Sequence, residues 1–120
     1  MKIAITSNGK ELTSAVDPRF GRAEFFIIYD TTDDSFSVVD NQQNLNARQG
    51  AGIQAGQSLV NTGATALLTG NCGPKAFNVL SAAGIKVYLG ATGTVQDAVT
   101  AFNANELTPA KTPNREGHWM

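Results

Sequence analysis

This chain is poor in the residues that usually announce a function. It has one cysteine, Cys72, one histidine, His118, and one tryptophan, Trp119, in 120 residues. A single cysteine forms no internal disulfide and builds no paired-thiolate metal site. Charge of one sign is also scarce: nine basic and ten acidic residues leave a formal net charge of −1. No field exists to gather nucleic acid. No apolar run approaches the length that spans a bilayer. The opening "MKIAITSNGK" turns polar by residue 8, too early for a signal peptide's apolar region. The expectation is a cytoplasmic protein without membrane or nucleic-acid partners. Carboxylates are missing where a metal-dependent nuclease would need them, because "KIAITS", "ATALLT" and "IKVYLG" hold none.

What is present is ordinary globular material. Apolar residues make up 42% of the chain, and a chain of this size buries roughly two-thirds of its unfolded surface in one domain. Residues 2–7 read as a strand closed by the turn signal Asn8-Gly9. Residues 8–22 form a long loop. "EFFIIYD" (24–30) and "SFSVVD" (35–40) flank Thr31-Thr32-Asp33-Asp34 as an antiparallel hairpin. After a polar stretch, Ile53, Gly56, Leu59 and Val60 recur at helical spacing over 50–61, with Gly63 as the C-terminal cap. "ATALLT" (64–69) has buried-strand character. Pro74 opens a second helix that Gly84 stops. "IKVYLG" (85–90) is a further strand, and Thr94 caps a helix over "VQDAVTAFNAN" (95–105). The order β-β-β-α-β-α-β-α predicts one α/β domain over 1–107, a five-stranded mixed sheet with helices packed on it, followed by a tail at 108–120.

In open sheets of this kind ligands collect beyond the carboxyl ends of the parallel strands. Loops 8–22, 41–52 and 70–74 would meet there. In "GNCGP" a thiolate at a helix start would have a lowered pKa. As a nucleophile, however, Cys72 lacks the arginine six positions on, which is Asn78, and has no nearby histidine. A small residue filling a tight turn, or a soft ligand, remains. In "DPRFGR", Arg19 and Arg22 suit anion recognition, while an Asp17–arginine pair bracing the loop explains the same residues. "QGAGIQAG" puts Gly50, Gly52 and Gly56 at a helix start, without the strand-to-helix context of a dinucleotide fingerprint. Its glycines let backbone N–H groups approach an anion. His118 and Trp119 belong to the tail or fold back to offer an imidazole. A pocket so furnished binds rather than reacts.

Together, "DPRFGRAEFFIIYD", "VVDNQQN", "GAGIQAGQSLVNTGATALLTGNCGPKAF" and "AGIKVYLGATGTVQDAV" resemble the dinitrogenase iron-molybdenum cofactor biosynthesis family, from Met1 to about Leu107. That family includes NifX, the C-terminal part of NifB, the core of NafY and the small orange protein. The resemblance implies a ribonuclease H-like sheet without nuclease activity and a non-enzymatic carrier of an anionic metal–sulfur cluster. The cluster would be an Fe–S, Mo/Fe or Mo/Cu sulfide, which a purified sample need not carry. Donor and recipient cluster-assembly proteins would be the partners. By position, the cluster-facing residues would be Asp17, Arg19, Phe20, Arg22, Gly50, Gly52, Ile53, Asn71, Cys72 and Gly73, with Cys72 and His118 as optional metal ligands. A regulatory or interaction module that has kept the fold without the cluster is the alternative, and a small-anion-dependent enzyme a third.

Overall fold

The hydrophobic runs become strands wherever both of their faces find cover. In the computed structural model, which describes residues 1–41 and 51–112, β1 (Lys2–Ser7), β2 (Phe25–Asp30), β3 (Ser35–Asp40), β4 (Ala66–Leu68) and β5 (Lys86–Tyr88) form one sheet in the order β3-β2-β1-β4-β5. β1 pairs antiparallel with β2 and parallel with β4, and β5 continues the parallel half. The mixed five-stranded sheet expected from the element order is therefore present. So are its three helices, α1 (Ala51–Val60), α2 (Pro74–Ala82) and α3 (Val95–Asn103).

Strand alternation sorts the core into two layers. Ala4, Phe26, Ile28, Leu67 and Val87 point to one face and meet Ala55 and Leu59 of α1 and Ala76, Phe77 and Leu80 of α2. Ile3, Ile5, Ile27, Ala66 and Leu68 point to the other and meet Val95, Ala98 and Val99 of α3. Helices on both faces explain why β1 and β4 read as continuous apolar runs rather than alternating ones.

Several elements stop short of their predicted ends, β4 at 66–68 among them, and for α3 and β5 the local reasons are visible. α3 ends at Asn103 instead of residue 105, because Asn105 takes φ 60° and the Glu106 N–H donates back to Ala101 O at 2.9 Å. That is a Schellman-type stop with asparagine in the left-handed position. α2 closes the same way at Gly84, with φ 81° and Ile85 N–H donating to Leu80 O, as its sequence predicts. β5 covers only 86–88, and its outer edge is met by the chain beyond residue 107: Tyr88 bridges Pro109, and Ala110 N–H donates to Val87 O at 2.7 Å. Among the described residues no helix is long and apolar enough to cross a membrane.

Candidate functional site

At the carboxyl ends of β1 and β4 the chain leaves the sheet twice, and the two exits are tied together. Asp17 N–H donates to Thr6 O at 3.0 Å, and the Thr6 hydroxyl donates to Asp17 O at 2.6 Å. The Thr69 hydroxyl lies 3.0 Å from that of Thr6. Arg19 then forms a parallel bridge with Asn71, Phe20 N–H donates to Asn71 O at 3.2 Å, and the Asn71 amide donates to Pro18 O at 3.1 Å. Gly70 makes this approach possible: a Cβ there would sit 2.8 Å from both Cα and O of Pro18. A short 3-10 turn, Phe20–Arg22, follows, with the Phe20 ring buried and stacked on Phe26 at 5.4 Å.

That turn and the first turns of α1 and α2 enclose a cleft of about 280 Å3, lined by Phe20, Gly21, Gly52, Gly73, Pro74, Lys75 and Ala76. The two helix starts touch, since a Cβ on Gly52 would lie 3.2 Å from Ala76 Cβ. Gly73 is the N-cap of α2 and offers no side chain to cap it. The first intrahelical bond runs from Phe77 N–H to Gly73 O at 3.0 Å. The N–H groups of Lys75 and Ala76 thus stand at the open end of the helix, where partial positive charge accumulates.

The residues expected from the sequence divide accordingly. Phe20, Gly52 and Gly73 line the cleft. Arg19 and Arg22 flank the lining pair Phe20-Gly21 and are exposed, Arg19 with 60% of its side chain accessible. Asn71 and Asp17 act as scaffold for the loop. Ile53, half-buried in the first turn of α1, is not among the described residues that line the cleft. Gly50 and His118 lie outside the described residues.

Cys72 faces inward. The residue is 1% exposed and packs in the core layer of Phe20, Phe26 and Ala76, and its thiol stands 3.7 Å from Gly73 O. Burial pushes that thiol up to about 12. Desolvation therefore disfavours the thiolate that a nucleophile or soft ligand needs. Among the described residues no group of three or more histidine, cysteine, aspartate or glutamate side chains could hold a metal ion.

Gly21, Pro74, Lys75 and Ala76 are lining residues that sequence reasoning passed over, and Lys75 is the charged one. A signal existed: a cation in the first turn of a helix opposes the helix dipole. A lysine directly after the helix-opening Pro74 is thus locally unfavourable, and an anion beside it would offset that cost.

Fold and cleft together define an open-sheet α/β domain with a candidate site beyond the carboxyl ends of the parallel strands, where such folds collect ligands. The chain belongs to the dinitrogenase iron-molybdenum cofactor family, whose profile matches residues 1–105. Among solved structures it is similar to the apo form of the orange protein from Desulfovibrio gigas, with TM-score 0.93 and 44% identity over 95% of this chain and 96% of that one. It is also similar to a NifB candidate from Thermotoga, with TM-score 0.84 and 46% identity over 97% and 98% of the two chains. An uncharacterised protein of Methanocaldococcus jannaschii is 29% identical over 110 residues, 89% of either chain.

Proposed function

We propose that this domain holds an anionic metal–sulfur cluster in the cleft and passes it on unchanged, as a carrier between cluster-assembly proteins. The observation that carries this reading is the lining of the cleft: Gly21, Gly52 and Gly73 leave its floor open to the main chain, and Lys75 is its one ionisable side chain among the described residues. Backbone N–H groups at the start of α2 favour negative charge without supplying a ligand that would have to be exchanged. A cluster that brings its own sulfides needs no protein thiolate, which suits a Cys72 turned into the core. The mostly apolar remainder of the wall, Phe20, Pro74 and Ala76, suits a weakly hydrated sulfide surface better than a hard oxyanion. Membership of a family described by the iron-molybdenum cofactor, and similarity to an orange protein solved in an apo form, support the same reading.

The test is uptake. Under anaerobic conditions the purified chain is mixed with tetrathiomolybdate or a soluble Fe–S cluster, desalted and examined by visible absorption and metal analysis. Retained colour with stoichiometric metal is expected, and an Arg19→Gln/Arg22→Gln variant should retain less with unchanged melting. A colourless, metal-free wild-type protein would overturn the carrier reading in favour of an interaction module of the same fold.

A further inference from the structure

Asp17 is withdrawn from solvent beside an exposed arginine of the site. The residue is 3% accessible. Its Oδ1 accepts the Arg19 N–H at 2.9 Å and stands 3.8 Å from Arg19 Nε. No other cation pairs with it among the described residues. The main chain around Asp17 is fixed by groups other than the carboxylate, namely Thr6, Asn71 and the Gly70–Pro18 contact. A neutral asparagine would accept the same Arg19 N–H in the same Asx turn. The negative charge is therefore surplus to the local fold, and its effect falls on the guanidinium. Arg19 in turn precedes the lining residues Phe20 and Gly21, and its backbone bridges Asn71, two residues before Gly73. Its side chain is exposed beside these lining residues, with Nε 3.8 Å from the Asp17 carboxylate.

We propose that Asp17 is a positioning residue, an internal counter-anion that competes with anionic cargo for Arg19 and so keeps the cargo releasable. This rests on the carrier reading and adds to it a sign: neutralising a buried acid in the binding loop should tighten binding. The pair is long at 3.8 Å and its arginine end is 60% accessible, so solvent screens it and the competition is modest. Asp17→Asn should bind tetrathiomolybdate roughly three- to five-fold more tightly than wild type. In an Arg19→Gln background the same substitution should change affinity by less than about two-fold. A merely structural role would neither raise affinity nor depend on Arg19. Asp17→Ser keeps a turn acceptor without charge and should reproduce the gain, which covers the case that the asparagine variant folds poorly. Unchanged or weaker binding by both variants, or an equal gain without Arg19, would overturn the assignment while leaving the carrier reading in place. Failure of wild type and both variants to bind would overturn the carrier reading and this assignment with it.

Discussion

Gly70→Ala tests whether the site depends on the close approach of its two loops. A Cβ at Gly70 would meet Pro18 Cα and Pro18 O at 2.8 Å, where ordinary contact begins at 3.4 Å. Both clashing atoms are backbone, and the Asn71 amide and the Arg19–Asn71 bridge hold that backbone in place. No rotamer change relieves the overlap, so the two loops must part. Overpacking of this kind costs about 1–3 kcal/mol. At about 2.1 cal/mol/K per residue, a 120-residue chain has an unfolding entropy near 0.25 kcal/mol/K, and the melting temperature should fall by about 4–12 °C. Parting the loops also draws Phe20 and Gly21 away from Gly73, so tetrathiomolybdate uptake should fall. Gly73→Ala is the control. Its Cβ meets nothing within 4 Å and its φ of −74° is ordinary. As an N-cap it should lose about 0.5–1 kcal/mol, about 2–4 °C, less than the Gly70 variant, while placing a methyl on the cleft wall. Thermal denaturation followed by circular dichroism compares the two. Equal melting of the Gly70 and Gly73 variants would refute the reasoning.

Three other substitutions separate stability from binding. The Cys72 thiol is raised from 9.0 to about 12 by burial, so above pH 9 the unfolded chain binds fewer protons than the folded one. Stability should therefore fall between pH 9 and 12 by up to about 1.4 kcal/mol per unit. Cys72→Ala should lack this slope in urea unfolding at pH 8, 9.5 and 11, and identical slopes would contradict it. Lys75→Ala removes a cation from the start of α2. It should leave stability unchanged or raise it by about 0.3–1 kcal/mol, yet weaken tetrathiomolybdate binding in a titration. Thr94→Ala breaks the reciprocal cap in which Asp97 N–H donates to Thr94 Oγ1 at 3.1 Å and Thr94 N–H to Asp97 Oδ2 at 3.0 Å. Chemical denaturation should register a loss of about 0.5–2 kcal/mol, with uptake of tetrathiomolybdate at the wild-type level.

The sheet was legible because its signals are periodic and local. Apolar runs bounded by Asn8-Gly9, Gly63, Pro74 and Gly84 mark the element ends, and the parallel half follows from alternating strands and helices. The meeting of loops 8–22 and 70–74 was legible too, from the rule that places ligands at strand carboxyl ends, while most of the third expected loop, 41–52, lies outside the described residues. Side-chain direction within those loops was not. Turns have no period, so nothing in "GNCGP" says that the Cys72 thiol turns to the core while Gly73 lines the cleft. The two readings of "DPRFGR" proved compatible: Asp17 does brace the loop through Arg19, and Arg19 keeps an exposed side chain. Lys75 escaped notice because its meaning depends on the Gly52 and Gly21 backbones that the fold brings opposite it.

The carrier reading stands or falls on where an anionic sulfide cluster binds. An anaerobic nitrogen–proton correlation NMR titration of the labelled chain with tetrathiomolybdate locates it directly. Shifts concentrated at Phe20, Gly21, Gly52, Gly73, Lys75 and Ala76, saturating at one equivalent, are the expected result. No saturable shifts, or shifts confined to the Asp30–Ser35 turn at the opposite end of the sheet, would contradict it.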